Sequence, residues 1–167
     1  MAGALIVTAE LGAADFAWLD GQRRRHFPPE RNRLPAHLTM FHALPPSLEE
    51  EVRGQLKASS AGPPPAATIA GLINLGGGVA YGVVSPDLDI IREAIAADFP
   101  GALTAQDGGG WRAHVTIQNK VTSREAKELL EQLEQDFRPQ ALAIHALALH
   151  RYLGGPWEPL GRWAFRA

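Results

Sequence analysis

The chain runs twice through one order of elements, strand, helix, strand, helix, strand, and in both passes the middle strand opens with His, apolar, Thr, apolar. The two copies are His37-Leu38-Thr39-Met40 and His114-Val115-Thr116-Ile117. Side chains at i and i+2 of a β-strand share a face, so each copy sets an imidazole and a hydroxyl on one side and apolar residues on the other. Two such strands brought together gather two histidines and two hydroxyls around one cleft. Each copy also follows a loop-like stretch, Leu34-Pro35-Ala36 or the glycine-rich run from Gly108 to Ala113, as a buried strand emerging from a surface loop does.

In the first pass, Leu5 to Thr8 reads as a strand and Ala14 to about Arg25 as a helix with Phe16, Trp18 and Leu19 on one face. After the first motif, Ser47 is expected to cap a helix from Leu48 to Ala58, whose positive end suits Glu49, Glu50 and Glu51. Pro63-Pro64-Pro65 ends it, and Thr68 to Ile73 returns as a strand. The second pass starts with Val79 to Val84, joined to the preceding strand over Gly76-Gly77-Gly78, which suits a tight hairpin better than a phosphate loop because no Lys-Ser/Thr follows. Ser85-Pro86-Asp87 opens a helix to about Asp98. After the second motif, Thr122 and Glu125 have capping-box spacing for a helix to about Phe137. Ala141 to Tyr152 reads as one long strand, and Arg162 to Phe165 as a short last one. The expected fold is α+β: two pseudo-symmetric lobes, each an antiparallel sheet with helices, flanking a central cleft. One domain over 1–167 is expected, its lobes dividing the chain into about 1–75 and 76–167.

Composition narrows the function classes. A formal net charge of −2 argues against a wide basic surface that coats long nucleic acid, while a small charged substrate remains compatible. Without cysteine there is no disulfide framework, thiolate zinc site or thiol nucleophile. The N-terminal stretch Met1 to Val7 lacks a basic start and a long apolar run, and no later stretch reaches the length of a membrane span. A soluble cytoplasmic monomer with neither a membrane nor a protein partner is the expectation.

The paired motif, the lobed order of elements and a terminal strand after His150-Arg151-Tyr152 and a glycine-rich turn resemble the 2H phosphoesterase superfamily, which includes 2′-5′ RNA ligases and cyclic nucleotide phosphodiesterases. The resemblance covers nearly the whole chain. It implies that His37 and His114 act as a catalytic pair and that Thr39 and Thr116 bind phosphate. Many members carry Pro directly before the histidine; Ala36 and Ala113 stand there in this chain, which alters the turn into the strand more than the chemistry.

The chemistry agrees with the resemblance. Opening a 2′,3′-cyclic phosphate takes a base for the attacking water and an acid for the departing ribose oxygen, and two imidazoles supply both near neutral pH. Threonine hydroxyls would donate to the non-bridging oxygens where charge accumulates. The expected activity is metal-independent hydrolysis of a 2′,3′-cyclic phosphate or a 2′-5′ phosphodiester in a nucleotide or short RNA. No cofactor and no metal are expected, since neither motif contains a carboxylate in the manner of H-E-x-x-H. Two alternatives stand beside it: 2′-5′ RNA ligation by the same pair, and a non-catalytic module that binds nucleotides or RNA ends. Sequence leaves open which histidine is base and which acid.

Other residues read less sharply. Arg23-Arg24-Arg25-His26, with Arg31 and Arg33, is either a phosphate-attracting flap or a solvated helix end. His42 is expected to face opposite His37's side if the strand stays regular, in a structural or surface role. His145 and His150 cannot both face a cleft, and are read as ordinary strand histidines. Trp111 and Tyr152 could stack on a base but are better read as core or rim packing.

Overall fold

The computed structural model describes residues 3–166, so that Met1 and Ala2 of the N-terminal stretch, and Ala167, lie outside it. The elements in chain order are β1 (Leu5–Leu11), α1 (Ala13–His26), β2 (Leu38–Leu44), a 3₁₀ turn (Pro46–Leu48), α2 (Glu49–Ser59), β3 (Ala67–Asn74), β4 (Val79–Val84), α3 (Pro86–Ala97), α4 (Ala105–Gly108), β5 (His114–Gln118), α5 (Ser123–Glu134), β6 (Gln140–Leu142), β7 (Ile144–Tyr152) and β8 (Trp157–Ala164). They form two antiparallel four-stranded sheets, ordered β2-β1-β7-β8 and β5-β4-β3-β6, with helices against them. The α+β, two-lobed arrangement expected from sequence is present.

The sheets do not divide the chain near residue 75, however. The first sheet takes β1 and β2 from the start of the chain and β7 and β8 from its end, while β3 crosses to join β4. The cause lies in the stretch that sequence reads as one strand from Ala141 to Tyr152. It breaks at Ala143, leaving β6 on one sheet and β7 on the other. The break is held from outside both strands: the Ala143 amide donates to Asp15 Oδ2 at 2.7 Å, and its carbonyl accepts from the Gly12 amide at 2.8 Å.

Each sheet turns apolar side chains into one shared core. Leu5, Val7 and Ala9 of β1, Leu38, Met40 and Phe41 of β2, and Val115 and Ile117 of β5 are at most 1% exposed and belong to one cluster. At about 25 cal/mol per Å² of apolar surface removed from water, such a cluster supplies the main drive for bringing the sheets together. In β2 the pairing with β1 slips by one residue between Phe41 and Thr39, a bulge that sends Met40 and Phe41 both into the core. Regular alternation therefore does not carry from His37 through to His42.

The capping box expected at Thr122 and Glu125 is present, and α3 starts as expected at Pro86, with Ser85 accepting from the Leu88 amide as its cap. Ser47 is the exception: it sits inside the 3₁₀ turn and α2 starts without a side-chain cap, because Pro45-Pro46 already bends the chain into that turn. The expected hairpin at Gly76–Gly78 is present. Gly76 has φ +86°, and at Gly78 a Cβ would stand 1.9 Å from the Gln118 carbonyl oxygen, so only glycine lets β5 run past the turn.

Candidate active site

Both motifs show the alternation that places function on one face. Leu38 and Val115 are fully buried, whereas His37, Thr39, His114 and Thr116 are half-buried. The strands that carry them belong to different sheets, yet β2 and β5 pack directly against each other.

The two imidazoles are held identically. His37 donates from Nδ1–H to the Pro35 carbonyl at 2.8 Å, and His114 donates from Nδ1–H to the Arg112 carbonyl at 2.7 Å. A carbonyl only accepts, so the proton resides on Nδ1 in both rings and Nε2 is left for other chemistry. The X-Ala-His turn ahead of each strand builds this lock, the carbonyl two residues upstream curling back over the ring. Burial pushes the His37 pKa down to about 4, with the positive Arg23 nearby acting in the same direction and the Pro35 hydrogen bond opposing it. His37 is therefore a neutral ring with a free basic nitrogen at neutral pH.

Arg23 stands between the two motifs. This side chain of α1 is 5% exposed; its Nη1 donates to the Thr116 carbonyl at 3.2 Å, its Nε to Asn32 Oδ1 at 2.8 Å, and its guanidinium lies over Phe27 at 4.3 Å. The arginine run is thus neither a loose flap nor a wholly solvated helix end. Arg23 is built into the protein between α1 and β5, while Arg24 stays exposed.

A second set of bonds ties β2 to α4 and to the loop that leads from it into β5. Asp107, 1% exposed, accepts from the backbone amides of His42 and Ala43 and from His42 Nδ1, at 2.8 to 3.1 Å. Burial alone would raise this carboxyl, but the bonds from the His42 ring and the two amides outweigh it and hold its pKa below the ordinary range. Arg92 donates to the carbonyls of Met40 and Asp107, and its guanidinium lies over Phe41 at 4.4 Å and Trp111 at 5.5 Å. Trp111 in turn donates from Nε1 to the Thr39 carbonyl at 3.2 Å. His42 thus takes the structural one of the two roles left open for it, and Trp111 packs as expected. Their partners Asp107 and Arg92 carry no sequence signal, since a lone Asp and a lone Arg at that spacing fit any surface helix.

Beside His37 lies a cavity of about 330 Å³, lined from the first sheet and its flanking loops. Of the four motif residues only His37 reaches it; Thr39, His114 and Thr116 do not line it. Thr8 of β1, the cross-strand neighbour of Thr39, lines it together with His150 of β7 and Trp157 at the start of β8. Thr8 Oγ1 and His150 Nε2 are 3.2 Å apart, and Trp157 lies between the two histidines, its ring centroid 4.9 Å from that of His37 and 5.3 Å from that of His150. Reading His150 as an ordinary strand histidine misses this. Sequence parity says only that His145 and His150 face opposite sides; the pairing of β1 with β7, Thr8 opposite Ala148, is what sets His150 on the Thr8 face. His145, at odd spacing, is exposed.

Among the described residues no three His, Asp or Glu side chains come together as a metal-binding group, and no helix is long and apolar enough to cross a membrane.

Comparison with solved structures finds the same fold at low sequence identity. A protein described as TT0787 of Thermus thermophilus aligns with a TM-score of 0.69 at 14% identity over 98% of both chains. A crystal structure described only as a phosphoesterase aligns at 0.65 and 18% over 100% of both chains. Escherichia coli LigT, solved with NADP+ and with 3′-AMP, aligns at 0.63 and 0.60, with 19% and 17% identity over 99% and 100% of both chains. No curated protein matches by sequence. A family model, that of the 2′-5′ RNA ligase superfamily, matches residues 12–156 and so takes in both motifs. By that match the chain belongs to the 2′-5′ RNA ligase superfamily, the 2H phosphoesterases.

Proposed function

We propose that the protein is a metal-independent phosphoesterase that opens a 2′,3′-cyclic phosphate, or cleaves a 2′-5′ phosphodiester, in a nucleotide or an RNA end, with His37 as general base and His114 as general acid. The observation that carries this reading is the matched lock on the two rings, each Nδ1–H spent on a carbonyl two residues upstream. Both Nε2 atoms are thereby left for proton transfer, which needs a nitrogen of fixed tautomer within reach of the reacting oxygen.

His37 is assigned the base because burial keeps it neutral. Its Nε2 takes a proton from water as the water oxygen bonds to phosphorus; the bond from phosphorus to one ribose oxygen breaks, and His114 Nε2–H protonates that oxygen as it leaves. Thr39 and Thr116, each two residues beyond its histidine on the same face, donate to the non-bridging oxygens. With the 5′-hydroxyl of a second RNA end in place of water, the same proton transfers open the cyclic phosphate at its 3′ oxygen and join the ends through a 2′-5′ bond; water at cellular concentration favours hydrolysis.

The test is turnover of 2′,3′-cyclic nucleotides and 2′-5′ dinucleotides in excess chelator by the wild type, His37→Ala and His114→Ala. Wild-type activity that survives chelation and falls by about 10²-fold or more in either variant, with little change in nucleotide affinity, supports the reading. Tight nucleotide binding without turnover of any substrate, equal in all three proteins, would replace it with a non-catalytic binding module.

A further inference from the structure

The second sheet carries a cavity on the face that its motif does not use. Tyr81 of β4 pairs with Val115, while its neighbours Ala80 and Gly82 pair with Thr116 and His114, so Tyr81 lies on the face opposite to the two motif side chains. It lines a cavity of about 520 Å³ that shares no residue with the one beside His37. Trp18 and Gln22, on one face of α1, line it as well, together with Gln132 of α5, Gln135 just beyond that helix and Gln140 at the start of β6. Four of the chain's seven glutamines are thus gathered in one place from three parts of the sequence.

Two polar groups at this site have nothing to bond. Gln22 Oε1 is fully buried and has no partner among the described residues, a state that costs the desolvation of an acceptor. Tyr81 is 4% exposed and its hydroxyl takes no partner among the described residues, while burial raises its pKa and keeps it a protonated donor. The charged residues lining the cavity are Asp136 and Arg138, one of each sign, so neither a cation nor an anion is favoured overall. The rings of Trp18, Tyr81 and Phe137 already touch, with centroids 5.1 Å apart for the first pair and 6.3 Å for the second, and leave no slot between them for a flat base. What they offer a ligand is the exposed side of Trp18.

We infer that this cavity is a binding site for a neutral polyhydroxylated ring, a sugar unit. Hydroxyls both donate and accept, and they leave a sugar ring in several directions, which suits amides arriving from three elements around a phenol. One hydroxyl can donate to Gln22 Oε1 and another can accept from Tyr81, while the C–H face of the ring lies on Trp18. The volume falls in the range of small-molecule sites. This site is separate from the phosphoesterase reading and stands or falls without it.

The experiment is a titration of the protein, isotope-labelled at glutamine and tryptophan, with methyl β-D-ribofuranoside, methyl α-D-glucopyranoside and adenine. The NMR signals followed are the side-chain amides of Gln22, Gln132, Gln135 and Gln140 and the indole N–H of Trp18. At least one glycoside is expected to shift them and to saturate below about 10 mM. Saturation by the ribofuranoside alone assigns the ring to a nucleoside or RNA, and by the glucopyranoside alone to a free sugar; either supports the inference. Tyr81→Phe removes only the hydroxyl, and Trp18→Ala leaves Tyr81 in place; each is expected to weaken binding about 5-fold or more. No saturation by either glycoside, adenine binding at this site as tightly as the glycosides, or an affinity unchanged in either variant would each overturn the inference.

Discussion

Arg23 and Thr116 meet across the space between helix α1 and strand β5, the guanidinium Nη1 donating to the threonine carbonyl at 3.2 Å. Through this bond the helix that precedes the first motif fixes the backbone of the second. The same arginine lies close enough to His37 to depress its pKa, so one buried cation acts on both halves of the site.

Arg23→Met keeps much of the stem volume and removes the charge and the bonds to Thr116 and Asn32. Stability should fall by about 1–3 kcal/mol for the lost charged hydrogen bonds. Turnover should fall beyond what that loss of fold explains, and the acid limb of the pH profile should move upward as a positive neighbour of His37 is deleted. Denaturant unfolding with kcat/KM at several pH values checks both.

Asp107→Asn leaves one oxygen but sets an amide N–H₂ against the N–H groups of His42 and Ala43. A loss of about 2–4 kcal/mol is expected for a buried acceptor turned donor. The pH dependence separates this carboxylate from His37. Both groups have folded pKa values below their unfolded ones, so for both the unfolded state binds more protons and stability falls on acidification. For His37 the fall belongs between about pH 6.5 and 4; for Asp107 it begins near pH 4 and continues below. Urea unfolding from pH 7 to pH 3 should lose the upper part of the slope in His37→Ala and the lower part in Asp107→Asn.

Gly78→Ala asks β5 to make room for a Cβ at the Gln118 carbonyl, a contact of 1.9 Å that no backbone tolerates. Overpacking of this kind costs about 1–3 kcal/mol or more. Because β5 carries His114 and Thr116, activity should fall together with stability, whereas Gly54→Ala in α2, where a Cβ meets no atom within 4 Å, should stabilise or be neutral. Thermal melts of the two variants make the comparison.

The parts of the molecule legible in the sequence are those set by local rules. Alternation in His37-Leu38-Thr39 and His114-Val115-Thr116, the helix start at Ser85-Pro86 and the box at Thr122 and Glu125 each depend on neighbours within a few residues, and all are present. What the sequence hides is set by distant partners. The break at Ala143 comes from Asp15 and Gly12, and it sends the C-terminal strands to the first sheet, against the expected division near residue 75. That crossing carries His150 and Trp157 to the side of His37, where no motif could announce them. His42 has a structural role for a reason spacing alone does not give, since a bulge disturbs the alternation and the buried Asp107 takes its ring.

The dependence of kcat/KM on pH for a 2′,3′-cyclic nucleotide, measured in wild type and His37→Ala, tests the two-histidine mechanism most directly. With His37 the base, the wild-type profile should be bell-shaped and stay high on the acid side well below pH 6.5, falling only as His37 takes a proton near pH 4. His37→Ala should keep the alkaline fall, lose the acid limb and turn over about 10²-fold more slowly or less. An acid limb that persists unchanged in His37→Ala, or a wild-type profile flat from about pH 4 to 9, would contradict the assignment of His37 as the base.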